Sequence, residues 1–207
     1  MNKIVLITGT RKGIGRYLAE KFLERGDHVI GCSRKESDLR HDKYYHSVMN
    51  ISSEAEIKYM LKGIGRIDIL INNAGVASMN HVLLTSKLKA IEIFETNFMG
   101  TFLMSREVGK IMLRQGKGDI INFSSVAVKL NVQGEAVYTA SKAAIESFTK
   151  TMAKELPKEI KVNCIAPGVV DTDLSRHRKI DLPLTTFKEI LDSIDFIINN
   201  DITGRVI

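Results

Sequence analysis

The sequence predicts an α/β fold in which a parallel sheet is covered by helices on both faces. Short β-branched runs alternate with helical stretches along the 207 residues, and that alternation implies strand–helix–strand crossovers. The first such run, residues 3–8, passes through a glycine turn straight into an amphipathic helix. A later run, residues 119–125, ends in Ser124 and Ser125 and is followed by an apolar, alanine-rich helix over 135–155. Ligands of such sheets bind at the carboxyl ends of the strands, so the residues at those ends are the ones to read for chemistry.

Size and composition fit a soluble globular protein. Hydrophobic residues make up 44% and charged residues 26%, and no proline-, glycine- or serine-rich linker divides the chain, so a single domain over 1–207 is expected. The apolar core of residues 4–7 is too short for a secretory signal, and no run approaches the ~18 apolar residues of a membrane span. A cytoplasmic protein without a membrane partner is the expectation. Cys32 and Cys164 fall in strand-like runs without metal-ligand spacing, which reads as buried reduced thiols and no metal site. The net charge of +6 comes from scattered lysines and arginines with no nucleic-acid-binding module, so nucleic acid is not expected as a partner.

Element by element, the turn after the first strand reads Thr8-Gly9-Thr10-Arg11-Lys12-Gly13-Ile14-Gly15, and the helix beyond it carries Leu18, Ala19, Phe22 and Leu23 on one face. Glycines there permit backbone angles closed to other residues and let a pyrophosphate approach the main chain, whose N–H groups and helix dipole hold negative charge. A second strand over 28–32 ends at Ser33-Arg34. An acidic residue at that place accepts from a ribose 2′-hydroxyl, whereas arginine accommodates a 2′-phosphate. Arg34, with Lys12 in the turn, therefore argues for NADP(H) in preference to NAD(H).

Between Arg34 and Tyr44 there is room for a connection but hardly for a helix, so that crossover is abbreviated. Residues 44–49 read as the third strand, 54–61 as a short helix and 67–71 as the fourth strand, which runs into Asn72-Asn73-Ala74-Gly75. Such residues suit either a ligand passing close to the backbone or a plain asparagine–glycine turn. The long helical stretch 86–115 contains Asn97 and Gly100, poor interior helix residues that predict an irregularity. The sixth strand, 160–166, is stopped by Pro167 and Gly168; a helix is expected over 187–198 and a last stub of strand over 204–207.

In the 135–155 helix, Tyr138 and Lys142 are four residues apart and share one face. A phenol titrates near ~10, and an adjacent cation lowers that value by about 1–3 units, making the pair a proton donor and acceptor. Tyr17 and Lys21 have the same spacing, but only Tyr138 has a hydroxyl partner in reach, Ser125 at the end of the preceding strand.

With these segments placed, the chain resembles the simple single-domain branch of the short-chain dehydrogenase/reductase superfamily. The resemblance rests on Thr8-Gly9-x3-Gly13-Ile14-Gly15, Asn72-Asn73-Ala74-Gly75, Asn97, Ser125, Tyr138-x3-Lys142 and Pro167-Gly168-x3-Thr172, in family order and spacing. It implies a Rossmann-like, doubly wound parallel sheet of about seven strands in the order 3-2-1-4-5-6-7. It also implies roles: Tyr138 transfers a proton to or from the substrate oxygen, Ser125 polarises the carbonyl, and Lys142 tunes the tyrosine while holding the nicotinamide ribose. Asn97 keeps the long helix irregular for a proton relay. Asn50 and Ile51 flank the adenine, Asn73 to Gly75 line the middle of the cofactor, and Val170 and Thr172 contact the nicotinamide end.

The activity so implied is reduction of a ketone or aldehyde to an alcohol by NADPH, with 3-oxoacyl thioesters among the substrates. The competing expectation is a catalytically idle dinucleotide sensor that kept the fold. A homodimer or homotetramer is implied as well. A short substrate lid is expected over about 173–198, and the basic run Arg176-His177-Arg178-Lys179 inside it points to an anionic or carrier-bound substrate.

Overall fold

The computed structural model describes residues 2–172 and 184–207. Its six strands, all parallel, are β1 (Ile4–Thr8), β2 (His28–Ser33), β3 (Tyr44–Val48), β4 (Ile69–Asn72), β5 (Gly118–Phe123) and β6 (Ile160–Ile165), in the order β3-β2-β1-β4-β5-β6. The winding reverses between β1 and β4, and a reversal of that kind opens a crevice at the carboxyl ends of the strands.

Both faces of the sheet are buried because successive strand side chains point to opposite sides. Leu6, Leu70 and Ile120 pack on one side against α2 (Glu54–Met60) and α4 (Gly100–Gln115), through Ile57, Met104, Val108 and Met112. Val5, Ile7, Ile69 and Ile71 pack on the other against α1 (Gly13–Glu24) and α7 (Phe187–Asn199), through Leu18, Phe22, Ile190 and Ile194. These alternating contacts explain why the strands read as continuous apolar runs.

The 86–115 stretch is one continuous helical rod with a defect. α3 (Lys87–Phe94) runs into a π-helical turn, Glu95–Met99, and then into α4. The irregularity expected around Asn97 and Gly100 is this turn. Gly100 has a packing reason too: a Cβ there would sit 2.6 Å from Ile51 Cδ1, so only glycine lets α4 close over the loop after β3. The abbreviated crossover between β2 and β3 contains no helix, as expected.

Among the described residues the sheet has six strands where about seven were expected: residues 204–207 run beside β6, with Cys164 N donating to Arg205 O at 2.8 Å and Ile207 N to Cys164 O at 2.9 Å, and form the bridge Cys164–Val206. The left-handed Gly204 (φ +71°) begins the extended run only at Arg205. Of the short lid expected over about 173–198, only residues 184–198 are described. Residues 173–183, with Arg176-His177-Arg178-Lys179, lie outside the described residues, and α7 is a core helix: Ile190, Leu191, Ile194 and Ile197 are buried beneath the sheet. A short helix, α5 (Ala127–Leu130), follows β5 where a loop was expected; four residues are too few to show a period.

Candidate active site

A cleft of about 890 Å³ lies across the carboxyl ends of the strands. The turn after β1 forms its floor. Gly9 (φ +79°) and Gly13 (φ +61°) take left-handed conformations there. A Cβ on Gly15 would lie 2.4 Å from Gly9 O and 2.5 Å from Asn73 Nδ2, so the helix start packs directly on the turn. Asn73 Nδ2 donates to Thr8 O at 2.8 Å and Ala74 N to Thr8 Oγ1 at 2.9 Å, bracing the loop after β4 against β1.

Ser53, Ser86 and Thr186 cap α2, α3 and α7 with side-chain hydrogen bonds, and in the first turn of α1 Gly13 and Ile14 line the cleft. An anion in the cleft can meet the N–H groups of that turn.

At one end, Ser33, Arg34 and Lys35 from the end of β2 line the cleft with Arg11, Lys12 and Arg16, a concentration of positive charge; Asn50 and Ile51 close it from the β3 side. Arg16 is engaged by Glu20 at 2.5 Å and by Asp38, and these carboxylates hold its guanidinium above the usual range against the opposing effect of burial.

At the other end α6 (Ala136–Glu155) brings Tyr138 and Lys142 to the cleft, opposite Ser124 and Ser125 after β5 and Pro167 to Thr172 after β6. Lys142 Nζ donates to Phe123 O at 2.6 Å and lies 5.8 Å from the centre of the Tyr138 ring. Burial pushes the Lys142 ammonium down to about 8, so it is still mainly charged at neutral pH. The Ser125 hydroxyl accepts from Ala127 N at 3.2 Å. Both thiols are pushed up to about 12 by burial and are not nucleophiles at neutral pH.

Of the residues given catalytic or cofactor roles from the sequence, Thr10, Gly15 and Asn97 do not line the cleft; the others do. Thr10 is fully buried with its hydroxyl turned to β3. Asn97 lies behind the Lys142 end. Its Nδ2 donates to Val76 O at 2.9 Å and to Ser141 Oγ at 3.0 Å, and its Oδ1 accepts from Val76 N at 2.8 Å. A Cβ on Gly75 would be 3.2 Å from Asn97 Oδ1 and 3.6 Å from Lys142 Nζ, so both side chains border the space that a side chain at residue 75 would take.

Lining residues that sequence reasoning missed include Arg16, Lys35, Thr96, Tyr17 and Phe187. Lys35, next to Arg34, carried a signal in its position. Tyr17 belongs to the second tyrosine–lysine pair: it stacks on Phe187 with ring centres 5.3 Å apart, and Lys21 is paired with Glu24 at 2.7 Å. Nothing local in the sequence joins Tyr17 to Phe187, which meet only because α1 and α7 share one face of the sheet.

A parallel sheet with a glycine turn beside its switch point and a tyrosine–lysine pair in the crevice defines a class, the NAD(P)-dependent oxidoreductases that act on CH–OH and C=O groups. A family model described as short chain dehydrogenase matches residues 3–183, and the chain belongs to that family. Relatives include 3-oxoacyl-(acyl-carrier-protein) reductase FabG of Vibrio cholerae, 36% identical over 185 residues that span 84% of this chain and 76% of the relative. The enzyme of that name from Aquifex aeolicus is 34% identical, with 99% and 94% covered. Among solved structures, ElxO with NADP bound superposes with a TM-score of 0.88 at 28% identity, covering 100% of this chain and 96% of that one. The 3-ketoacyl-(acyl-carrier-protein) reductase of Brucella melitensis complexed with NADH gives 0.90 at 25% identity, with 99% and 95% covered. Among the described residues, no helix is long and apolar enough to cross a membrane.

Proposed function

We propose that the protein is an NADPH-dependent reductase of a ketone carbonyl, with a 3-oxoacyl thioester as the substrate class. The observation that carries the reading is Lys142, a buried ammonium beside the Tyr138 ring at the end of a cleft whose far end is basic. The similarity to FabG proteins supports the thioester, and the residues present fit a phosphorylated dinucleotide. The turn at Gly9 and Gly13 and the start of α1 receive a pyrophosphate, and Ser33, Arg34 and Lys35 receive a 2′-phosphate.

NADPH, when bound, supplies the hydride. Ser125 donates a hydrogen bond to the substrate oxygen and orients it, and Tyr138 donates the proton that converts that oxygen to a hydroxyl. Lys142, charged at neutral pH, stabilises the phenolate left on Tyr138 and binds the adjacent ribose hydroxyls. Asn97 holds the Val76 backbone and the π turn in place, which fixes the wall beside Lys142. An assembly of two or four copies belongs to the same proposal; exposed Leu84, Leu88 and Ile91 offer apolar surface for it.

The test is NADPH oxidation against a panel of ketones that includes 3-oxoacyl thioesters, with wild type and Tyr138→Phe. Turnover is expected on the thioesters and a loss of at least ~100-fold in the variant, the scale of general acid catalysis. Equal turnover in Tyr138→Phe would overturn the mechanism, and tight NADPH binding without turnover on any carbonyl would overturn the enzymatic reading.

A further inference from the structure

The basic corner of the cleft is tied to the glycine turn through one side chain that the reaction itself does not use. His46 stands on β3 opposite Gly31 of β2. Its Nε2 lies 3.1 Å from Ser33 Oγ and 3.2 Å from Lys35 O, and its Nδ1 lies 2.9 Å from the Tyr44 hydroxyl and 3.3 Å from Thr10 Oγ1. Tyr44 donates to Thr10 Oγ1 at 2.8 Å. The space for this cluster exists because residue 31 is glycine: a Cβ there would sit 2.4 Å from both Thr10 Oγ1 and the Tyr44 oxygen.

The tautomer follows from the partners. A carbonyl only accepts, so the bond to Lys35 O requires the hydrogen on Nε2, and Nδ1 then accepts from the Tyr44–Thr10 hydroxyl pair. The Ser33 hydroxyl also donates to Lys35 O, at 2.7 Å. A phosphate reaching Ser33 needs that hydroxyl hydrogen for itself, and Lys35 O would lose its donor as the hydroxyl turned. The imidazole removes this conflict, because its Nε2–H already reaches the same carbonyl.

We propose that His46 is a positioning residue that makes the cleft selective for a 2′-phosphate. It frees the Ser33 hydroxyl to bind the phosphate, and it anchors the corner carrying Arg34 and Lys35 to the turn at Thr10. The inference rests on the NADPH reading above. It predicts a role confined to the phosphate: a cofactor with a free 2′-hydroxyl makes no claim on Ser33 and gains nothing from His46.

The experiment measures dissociation constants of NADPH and NADH, and of adenosine 2′,5′-bisphosphate and adenosine 5′-monophosphate, for wild type, His46→Phe, Ser33→Ala and the double variant. Phenylalanine keeps the ring and suits a strand, and His46→Val, which also lacks the donor, repeats the comparison if the phenylalanine variant does not fold. His46→Phe is expected to weaken NADPH and the bisphosphate roughly tenfold, the scale of a hydrogen bond to a charged group, while NADH and the monophosphate change less than about twofold and kcat at saturating NADPH is retained. In the Ser33→Ala background most of the effect should vanish, since the two side chains act as a unit. Equal losses for phosphorylated and unphosphorylated ligands would show only structural support of the turn, and no loss would show that the ring is idle; either overturns the inference. Wild type that binds NADPH no more tightly than NADH would instead overturn the cofactor reading on which it rests.

Discussion

Lys142→Met should make this protein more stable and inactive. The ammonium is buried, and burial lowers it from 10.5 to about 8, a difference of about 2.5 units. At about 1.4 kcal/mol per unit, keeping it charged costs the folded state on the order of 3 kcal/mol at pH 7. Its hydrogen bond to Phe123 O at 2.6 Å returns roughly 1–2 kcal/mol. Methionine is of similar length, suits a helix and avoids the desolvation cost, so a net gain of roughly 1–2 kcal/mol is expected, a Tm rise of about 3–6 °C for a chain of this size. The sign of the pH dependence separates this from a packing effect. The unfolded lysine keeps its proton to near 10.5 while the folded one releases it near 8, so between these values the unfolded state binds more protons and wild-type stability rises with pH. The variant lacks that slope, and its advantage should close and reverse by about pH 10. Denaturant unfolding of both proteins at pH 7 and pH 10 measures it. A stability gap of the same size at both values would refute the reasoning, since Lys142 would then titrate alike folded and unfolded. In activity, wild-type kcat/KM for reduction should fall on an alkaline limb near pH 8 as the cation is lost, and the variant should have negligible turnover.

Arg34→Asp should raise KM for NADPH by roughly 10- to 100-fold, the range for charge-assisted hydrogen bonds, and bring the NADPH/NADH preference close to parity or reverse it; an unaltered preference would remove Arg34 from the cofactor site. Gly15→Ala places a methyl 2.4 Å from the Gly9 carbonyl, so α1 must move off the turn. Titration with NADPH should show at least tenfold weaker binding, with a stability loss of roughly 1–3 kcal/mol by denaturant unfolding. Asn97→Ala strips partners from the part-buried N–H and C=O of Val76, and chemical unfolding should register a loss of about 1–3 kcal/mol, the scale of two hydrogen bonds at ~0.5–1.5 kcal/mol each.

Which parts of this architecture could be read in advance follows from how far apart in the chain the interacting groups lie. The glycine turn and the Tyr138–Lys142 pair are local: each needs only a short segment and one regular backbone geometry, so spacing exposes them as candidates, and Ser125 on the preceding strand separated the pair from Tyr17 and Lys21. The strands were readable because both faces are buried, which leaves β-branched runs such as residues 4–7 with no polar break. Asn97 was locally visible as a helix irregularity, but its partners are Val76 and Ser141, 21 and 44 residues away, so its structural work could not be read from its neighbours. The same holds more strongly for β3. Tyr44 and His46 look like ordinary alternating strand residues, and Gly31 like a weak point in β2. Only the register that sets Gly31 against His46 turns a missing Cβ into room for the Thr10 and Tyr44 hydroxyls beside the imidazole. Tyr17 shows the converse. Its spacing to Lys21 imitates the Tyr138 pair, yet Glu24 takes the lysine and Phe187 takes the ring, so the difference between the two pairs lies in what the fold packs around them. A motif thus states which chemistry a helix can present, and tertiary register decides whether that chemistry meets a cleft.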